Sequence, residues 1–506
     1  MSPDDDVTPA EPTVPGTPGA APAPIEVQGP DVFARYLERT RWFGGKGRPF
    51  EVASVRRIGE VPRDDGAEGP RVVIDLVEVA YGDGPGGSEV YQVPMSFYTE
   101  PEARLDHAFI GWWEEPGQGW VHAYDALHDR EAMDSWLRAF DRAAREPGGN
   151  LSDEDSGLRF HRLPGHDLDL TAHSALFSGE QSNSSVAYGE DCLMKVFRKI
   201  TPGVNPDISV HEVLTKAGSD HIAALYGWLD WVDWEADPDA EERSGTTMQL
   251  AMLQQFLRTA SDGWDLALTS ARNLFAEGDL HAHEAGGDFA AEAARLGEAL
   301  REVHDDLAAH FPVEHRGPEA IAELADAMLA RLDAALGVVP ELAEHADALR
   351  AAYARLRTLD DLEVQQVHGD LHLGQTLRTS LGWKIVDFEG EPAKPLAERL
   401  RPDSVWRDVA GMLRSFDYVP HVVERQFAED QPEGASQRAY RAEEWAHRNR
   451  NHFLAAYAGG ELTDAQQVLL DAYVADKAVY ETVYETRNRP TWVAIPLEAV
   501  ARIGAA

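Results

Sequence analysis

Three oxygen-bearing side chains in one stretch of the sequence have the types and spacing needed for phosphoryl transfer. Asp370 and Gln375 lie five residues apart, and Asp387 follows a short apolar run. Phosphoryl transfer needs a carboxylate beside the accepting hydroxyl and oxygen ligands for magnesium on the nucleotide phosphates. The step of five is the spacing of the kinase catalytic loop, whereas the alternative interpretation, three unrelated polar residues near a turn, requires no such spacing. We therefore expect Asp370 to be the base and Gln375 and Asp387 to bind Mg²⁺.

A kinase also needs groups that hold its nucleotide, and the region before residue 260 offers them. Lys195 lies in a short apolar run, where a lysine must either extend to solvent or meet an anion, so we expect it to bind the α- and β-phosphates of ATP. The polar loop before it holds a single glycine, and an ordinary polar turn is the alternative interpretation. The phosphate contacts expected in this loop are Ser182, Asn183 and Ser184. Met252, Leu253 and Gln254 are expected to form the hinge against the adenine.

The composition excludes several other classes of protein. The 506 residues contain 46 Lys+Arg and 88 Asp+Glu, which gives a formal net charge of −42. Nucleic acids and anionic membranes bind basic surfaces, so we expect neither as a partner. Cys192 is the single cysteine, which excludes an internal disulfide, and no apolar run reaches the about 18 residues of a membrane helix. We expect a cytoplasmic protein.

The elements that must position these residues change along the chain from strands to helices. Two β-branched runs between residues 72 and 94 flank a glycine-rich turn and predict a hairpin. An apolar stripe from Phe289 to Leu307 has the period of a helix. The fold class expected is therefore α+β with two lobes. The expected organisation is a disordered Pro-rich tail at 1–30, an α+β cap at 31–100, an intermediate region with the nucleotide-binding lobe at 101–250, and a helical lobe with the catalytic loop and acceptor site at 251–506.

Eight segments of the chain combine into a more specific pattern. They are Arg41–Gly45, Gly179–Asn183, Lys195–Arg198, Asn205–Asp207, His368–Gln375, Asp387–Pro392, Arg407–Phe416 and Asp476–Arg487. Together they resemble the actinobacterial maltokinases, of the aminoglycoside-phosphotransferase superfamily, from residue 31 to the C-terminus. The resemblance implies a bilobal eukaryotic-kinase-like fold with an N-terminal cap. It also implies phosphorylation of maltose at the anomeric hydroxyl with ATP and Mg²⁺, for glycogen-type α-glucan synthesis, with trehalose synthase as a partner.

The segment near the C-terminus is expected to bind the acceptor sugar. In a helix, Lys477, Tyr480, Glu481, Tyr484 and Arg487 would fall at steps of three and four and share one face. Aromatic rings pack on the apolar side of a pyranose, while charged groups bond its hydroxyls; a surface helix with ordinary ion pairs is the alternative. The full set of expected acceptor contacts is His372, Glu389, Lys477, Tyr480, Glu481 and Tyr484.

Two rival functions use the same residues differently. A kinase of an amino sugar such as glucosamine, or of an aminoglycoside, would share the fold and every catalytic residue, and the acidic charge of the chain suits a cationic acceptor. The match of Lys477, Tyr480 and Tyr484 to the maltokinase pattern favours maltose. A catalytically inactive scaffold is disfavoured, because the expected base and metal ligands are all retained.

Other polar residues are expected to support the site. Asp408 is expected to brace the loop that contains Asp370, and His304 and His368 are expected to form structural hydrogen bonds. The sequence leaves the acidic partner of Lys195 open. Glu212 lies in the helix expected after Pro206, while position 209, where the resemblance implies a glutamate, is a serine.

Overall fold

The computed structural model describes most of the chain between residues 29 and 503. The ranges outside the described residues are 1–28, 64–68, 83–86, 153–156, 178–182, 234–245, 259, 278–279, 392–393, 431–433 and 504–506. The predicted disordered tail and the predicted phosphate contact Ser182 therefore lie outside the described residues, apart from residues 29 and 30. In the described part of the chain, no helix has both the length and the apolar character needed to cross a bilayer.

An antiparallel sheet with one helix on it forms the cap. Its elements are α1 (Pro30–Arg39), β1 (Phe50–Glu60), β2 (Arg71–Tyr81), β3 (Ser88–Tyr98), β4 (Phe109–Glu115) and β5 (Gly119–Asp125), in the sheet order β1-β2-β3-β5-β4. The predicted hairpin is confirmed, since β2 pairs with β3 antiparallel. Helix α1 buries Phe33, Tyr36 and Leu37 in an aromatic-rich core shared with the sheet. The sheet continues beyond residue 100, so the boundary expected there falls between two strands of one sheet.

A second antiparallel sheet, with two helices, forms the lobe in which the sequence predicts the nucleotide site, called the nucleotide-binding lobe below. Its elements are α2 (Arg130–Arg145), β6 (Asn150–Ser152), β7 (Leu158–Arg162), β8 (Ser174–Leu176), β9 (Asn183–Tyr188), β10 (Cys192–Phe197), β11 (Lys199–Ile200), α3 (Pro206–Ala217), β12 (Leu225–Asp233) and β13 (Thr246–Gln255). The sheet order is β6-β7-β12-β13-β10-β9-β8, so β10 is an interior strand that holds its side chains in a fixed register. The short β11 leaves this sheet and pairs with β3, which joins the lobe to the cap. The boundary expected at residue 250 falls inside β13.

Helices dominate the third part, the helical lobe. Its strands are β14 (Ser261–Asp262), β15 (Glu314–Arg316), β16 (Leu362–Val364), β17 (Thr376–Thr379) and β18 (Gly382–Ile385). Its helices are α4 (Gly263–Ala276), α5 (Ala290–His310), α6 (Pro318–Leu336), α7 (Ala346–Leu356), α8 (Leu396–Arg399), α9 (Trp406–Asp430), α10 (Ala435–Ala458), α11 (Asp464–Asn488) and α12 (Ala494–Ile503). The stripe from Phe289 to Leu307 is buried along α5, as its period predicts.

The order of strands followed by helices therefore produces the predicted architecture. The structure confirms an α+β fold with a β-rich lobe, a mostly helical lobe and an N-terminal cap. Short 3-10 helices at Ala103–Ala108, Ala126–His128, Pro147–Gly149, Pro340–His345, Leu373–Gln375 and Pro490–Trp492 connect the main elements. The β17–β18 hairpin begins directly after Gln375 and ends two residues before Asp387, which brings these two side chains together.

Candidate active site

Lys195 lies in the middle of β10, between β9 and β13, and its amine reaches three carboxylates. Lys195 Nζ is 2.8 Å from Asp207 Oδ2, 2.6 Å from Asp387 Oδ1 and 2.7 Å from Glu389 Oε1. Burial disfavours the charged amine, but the three carboxylates outweigh that cost and hold the pKa of Lys195 well above its ordinary value. Three acidic groups around one ammonium leave a surplus of negative charge, as expected where further cations bind.

The partner of Lys195 on a helix is Asp207, in the first turn of α3. Asn205 caps this helix by accepting a hydrogen bond from the Asp207 amide at 2.8 Å. The other carboxylate oxygen of Asp207 accepts a 2.9 Å hydrogen bond from the Phe388 amide. Burial opposes the charge of Asp207, but Lys195 and His211 lower its pKa far below the ordinary value. This one carboxylate therefore connects the helix, the lysine strand and the segment that carries Asp387.

Glu212, the candidate that the sequence offered as the partner, has another role. Its carboxylate pairs with Lys216 at 2.5 Å, one helical turn along α3, and lies partly exposed. The reason is where the helix begins. Because Asn205 caps α3, Asp207 lies in its first turn and contacts Lys195, whereas Glu212 lies more than one turn further along the helix. The segment Asn205-Pro206-Asp207 is a typical helix start, with a capping residue, a proline and an acidic residue in the first turn, and could have predicted this position of Asp207.

Asp408 holds the loop that contains Asp370, as predicted. Its buried carboxylate accepts hydrogen bonds from the backbone amides of His368 at 2.7 Å and Gly369 at 2.8 Å. It also lies 3.2 Å from His304 Nε2, which confirms a structural role for that histidine. A backbone carbonyl can only accept, so His368 Nε2 donates its proton to the Val386 carbonyl at 3.0 Å. The loop is thereby fixed to the strand that precedes Asp387.

A glycine in α9 allows this close packing. A Cβ at Gly411 would lie 2.5 Å from the Leu371 carbonyl oxygen, a distance that side chains do not tolerate. The absence of a side chain therefore lets α9 pack directly under the loop. On the same helix, Ser415 Oγ accepts a 3.0 Å hydrogen bond from the Leu373 amide.

Asp370 is held as an ionised carboxylate. Its Oδ1 lies 3.2 Å from Lys477 Nζ on α11. Burial alone would raise the pKa of Asp370, but Lys477 and His372 outweigh burial and hold it below the ordinary value. An ionised carboxylate at this position can accept the proton of an acceptor hydroxyl.

The neighbouring oxygen donors fit a hard divalent cation. Ligand atoms of Asp207, Asp387 and Glu389 lie within 4.8 Å of one another. Gln375 Nε2 donates a 2.9 Å hydrogen bond to Asp387 Oδ2 and so holds that carboxylate beside the amide. Asp387 has a left-handed backbone with φ of 71°, a conformation that costs about 1–3 kcal/mol and occurs at functional sites. Carboxylate and amide oxygens are the ligands that Mg²⁺ prefers.

A cavity of about 830 Å³ opens beside Asp370 and contains most of the predicted acceptor residues. Those that line it are His372, Lys477, Tyr480, Glu481 and Tyr484. The rings of Tyr480 and Tyr484 lie nearly parallel, with centroids 6.3 Å apart. Arg487 is exposed and is not among the lining residues, so fewer residues of α11 face the cavity than the sequence predicts.

Sequence reasoning missed one wall of this cavity. Asp262 and Trp264 line it from the start of α4, and Glu391 and Trp492 line it from other segments. The signal available was the segment Asp262–Asp265, in which an aromatic residue lies between acids directly after the β-rich lobe. The full set of acidic lining residues is Asp262, Asp265, Asp370, Glu391, Glu481 and Glu485, against the basic residues Lys477 and Arg489.

Two of the predicted contacts, Glu389 and Ser184, lie elsewhere than expected. Glu389 is not among the residues that line the cavity; it contacts Lys195 at 2.7 Å and accepts a 3.0 Å hydrogen bond from Asn183 Nδ2. This places Glu389 and Asn183 with the expected nucleotide groups. Ser184 Oγ accepts a 2.8 Å hydrogen bond from Arg198 Nε and so faces the cap, because side chains alternate along β9.

The predicted hinge is also displaced. Met252 and Leu253 are fully buried, and β13 continues past both of them to Gln255. Their backbones pair with β10 on one side and β12 on the other, so neither presents a free edge to an adenine. The connection to the helical lobe follows Gln255, because β13 continues beyond the last apolar residue of its run, Leu253.

Comparisons with known proteins agree with this architecture. The family described as "Maltokinase N-terminal cap domain" matches residues 36–129, and the "Phosphotransferase enzyme family" matches residues 276–446. A glucosamine kinase of Streptacidiphilus jiangxiensis is 30% identical over 334 residues, which cover 63% of this chain and 70% of that protein. The chain belongs to the capped sugar kinases of the phosphotransferase family. A glucosamine kinase of Mycolicibacterium smegmatis (strain ATCC 700084 / mc(2)155) is 26% identical, with 63% of this chain and 76% of that protein covered.

Solved structures show the same fold. A glucosamine kinase in complex with glucosamine, ADP and inorganic phosphate superposes with a TM-score of 0.62 and 21% identity, over 95% of this chain and 100% of that chain. Crystal form B of a glucosamine kinase gives a TM-score of 0.63 and 21% identity, over 94% and 100% of the two chains. The capped sugar kinase fold therefore extends over nearly the whole of this chain.

Replacing Asp207 by Asn tests the assignment of the lysine partner. Asp207→Asn removes the charge that holds Lys195, while the amide can still accept hydrogen bonds, so the KM for ATP is expected to rise and kcat to fall. Glu212→Gln, on the same helix, is the matched control and is expected to leave both constants unchanged. Steady-state kinetics with varied ATP provide the measurement. A larger effect of Glu212→Gln than of Asp207→Asn on these constants would instead identify Glu212 as the partner of Lys195.

Proposed function

We propose that this protein is an ATP-dependent kinase of an amino sugar of the glucosamine class. The observation that carries the proposal is the charge of the acceptor cavity, which six carboxylates line against two basic side chains. A neutral sugar needs hydrogen-bonding groups but no net charge, whereas an amino sugar is a cation at neutral pH. An acidic wall attracts such a cation and disfavours neutral competitors through the cost of burying unneutralised carboxylates.

The pairing of these carboxylates supports one position for the amino group of the acceptor. Asp370 pairs with Lys477, Glu391 with Lys394, Glu481 with Arg414 and Glu485 with Arg489, at 2.6–3.2 Å. Among the described residues, Asp262 and Asp265 form no ion pair; Asp262 instead accepts a 3.1 Å hydrogen bond from the Asp265 amide. Burial raises the pKa of Asp262, as expected for a carboxylate that lacks a cation. We place the acceptor ammonium beside these two acids.

The reaction follows from the positions of the other groups. Asp370 accepts the proton of the acceptor hydroxyl, and the hydroxyl oxygen forms a bond to the γ-phosphorus as the bond from that phosphorus to the bridging oxygen of ADP breaks. Lys195, held by Asp207, binds the nucleotide phosphates. Asp387 and Gln375 would hold Mg²⁺, which supplies positive charge to the phosphate oxygens. The aromatic side chains of Tyr480 and Tyr484 pack on the apolar side of the sugar ring.

Two relatives support the amino-sugar assignment, since both are named glucosamine kinase. Maltose is the second candidate. It is favoured by the match of the cap to a maltokinase domain and by a cavity of about 830 Å³, which is large enough for a disaccharide. On that alternative the anomeric hydroxyl of maltose would be phosphorylated for α-glucan synthesis. The cytoplasmic location and the trehalose synthase partner stay predictions from the sequence.

The variant Asp265→Asn distinguishes the two acceptors. Removing one unpaired charge from the cavity wall is expected to raise the KM for glucosamine several-fold, because the ammonium loses its partner, while the KM for ATP stays unchanged. The measurement is steady-state kinetics on a panel of glucosamine, glucose and maltose. Asp347→Asn, an exposed acid on α7, is the matched control. Efficient phosphorylation of maltose with no dependence on Asp265 would favour the second candidate.

A further inference from the structure

Two buried charges lie behind the acceptor cavity and take no part in the reaction described above. Arg414 of α9 is 1% exposed and is not among the residues that line the cavity. Its Nε donates a 2.8 Å hydrogen bond to Glu481 Oε2, and its Nη2 lies 2.8 Å from the same oxygen. Its Nη1 donates a 2.6 Å hydrogen bond to Asp417 Oδ2. One guanidinium therefore connects Glu481, which lines the cavity, with Asp417, which does not.

Asp417 binds the other edge of this guanidinium and is itself held in place. Its carboxylate is 3% exposed, accepts a 3.2 Å hydrogen bond from Arg450 Nη1 on α10 and lies 2.9 Å from Arg502 Nη2 on α12. Burial alone would raise the pKa of Asp417, but Arg414, Arg450 and Arg502 outweigh burial and keep it below the ordinary value. Side chains of four helices thus meet in one ion network, which fixes the position of Arg414.

This arrangement leaves one oxygen of Glu481 for a ligand. Both contacts of Arg414 are made to Oε2, and no hydrogen bond to Oε1 is found among the described residues. Glu481 is 9% exposed and lines the cavity. Burial raises the pKa of Glu481, while Arg414 and Lys477 oppose that effect. A buried acceptor without a partner is costly, so we expect a hydrogen-bond donor of the sugar at Oε1.

The charge of Arg414 also determines what Glu481 can attract. Because this carboxylate is already paired, it offers a hydrogen-bond acceptor with little net charge, which suits a neutral hydroxyl better than an ammonium. Asp262 and Asp265 of α4 form no ion pair in the described part of the chain and have the opposite character. The two walls of the cavity therefore suit different groups of one sugar, a hydroxyl at α11 and an ammonium at α4.

We propose that Arg414 is a positioning residue of the acceptor site, which orients Glu481 so that Oε1 accepts a hydrogen bond from a sugar hydroxyl. This role rests on the proposed function, because the cavity must hold the acceptor. An arginine suits the role because its planar fork binds two carboxylates at once in fixed directions, which a lysine ammonium cannot reproduce.

The position of α9 connects this contact with the reaction. The same helix carries Gly411, which packs against the loop that contains Asp370, and Ser415, which accepts a hydrogen bond from that loop. Arg414 therefore joins the sugar-binding wall of α11 to the helix that supports the base. A sugar that binds Glu481 is thereby held in a fixed position relative to Asp370.

A double-mutant cycle of Arg414→Lys and Glu481→Gln tests the proposal by steady-state kinetics. Arg414→Lys keeps the charge but loses the fork, so the KM for the sugar is expected to rise roughly tenfold, the effect of about one charge-assisted hydrogen bond, with the KM for ATP unchanged. In the Glu481→Gln background, the same substitution should change the KM for the sugar by less than about twofold, because the residue through which it acts is already altered. Arg331→Lys is the matched control and should change neither constant, since Arg331 pairs with Asp476 on the same α11 but outside the cavity.

Equal effects of Arg414→Lys in the two backgrounds would overturn the proposal, since the arginine would then act on the fold and not through Glu481. An unchanged KM for the sugar, or a KM for ATP that rises with it, would overturn it as well. Arg502→Gln removes one outer partner of Asp417 and is expected to raise the KM for the sugar by a smaller factor. This variant replaces Arg414→Lys in the cycle if thermal unfolding shows that Arg414→Lys does not fold.

The choice of sugar separates this test from the test of the proposed function. The cycle uses whichever of glucosamine, glucose and maltose the protein phosphorylates most efficiently, so a failure of the amino-sugar assignment still leaves Arg414 tested. Asp265→Asn should act on glucosamine alone, whereas Arg414→Lys should act alike on glucosamine and on glucose, with glucose measured as a substrate or as a competitive inhibitor. An effect of Arg414→Lys on glucosamine alone would assign Glu481 to the ammonium and overturn the proposal.

Discussion

Asp370→Asn is expected to lower kcat by roughly 10²–10⁴-fold, the range for the loss of general base catalysis. The amide has the shape of the carboxylate but cannot accept the hydroxyl proton, and the loop is held by Asp408 through backbone contacts that the substitution does not touch. The melting temperature and the KM for ATP should therefore stay close to those of the unsubstituted protein. The measurement is the rate of ADP formation under saturating substrates.

The control for this experiment is Asp360→Asn, an exposed acid in the turn after α7. Its activity should equal that of the unsubstituted protein. If Asp370→Asn keeps near-normal turnover, or if both variants lose activity to the same degree, then Asp370 is not the base.

The second large effect concerns the metal. Asp387→Ala is expected to abolish magnesium-dependent nucleotide binding, whereas Gln375→Ala should mainly raise the magnesium concentration that is required. A bridging carboxylate contributes charge and a ligand atom, while a neutral amide contributes a ligand atom alone. Titration of a fluorescent ATP analogue at several magnesium concentrations measures both effects.

Loss of Asp387 also removes one of the three acidic partners of Lys195, so the stability of the variant needs a separate check by thermal unfolding. Magnesium dependence that is unchanged in both variants would refute the assignment of these two ligands. An effect of Gln375→Ala as large as that of Asp387→Ala would mean that the amide, and not the carboxylate, dominates the site.

The proximity of the proposed metal ligands could be predicted because their geometry is local. Asp370, Gln375 and Asp387 lie within one short stretch, where the spacing along a loop and a hairpin determines which side chains meet. The two lobes were predictable for a similar reason, because periodicity identifies strands and helices one at a time. The cap hairpin and α5 are examples in which the apolar pattern agrees with the buried face.

The features that could not be predicted depend on where single elements begin and end, and on how distant segments pack together. The partner of Lys195 depends on where α3 begins, which Asn205 determines by capping. The acidic wall of the cavity combines the start of α4 with the loops that carry Asp370 and Glu391 and with α11, and its charge becomes visible only when these segments are assembled. The hinge was misplaced because β13 extends beyond its most apolar residues.

The most direct test of the proposed function is phosphorus NMR of the reaction products. The protein is incubated with ATP and Mg²⁺, and separate samples contain glucosamine, maltose or no sugar. A new phosphomonoester signal, matched by an equal amount of ADP, is expected with glucosamine, and its coupling to sugar protons identifies the phosphorylated position. A signal that forms with maltose but not with glucosamine, or ATP that is consumed only to free phosphate, would contradict the assignment as an amino-sugar kinase.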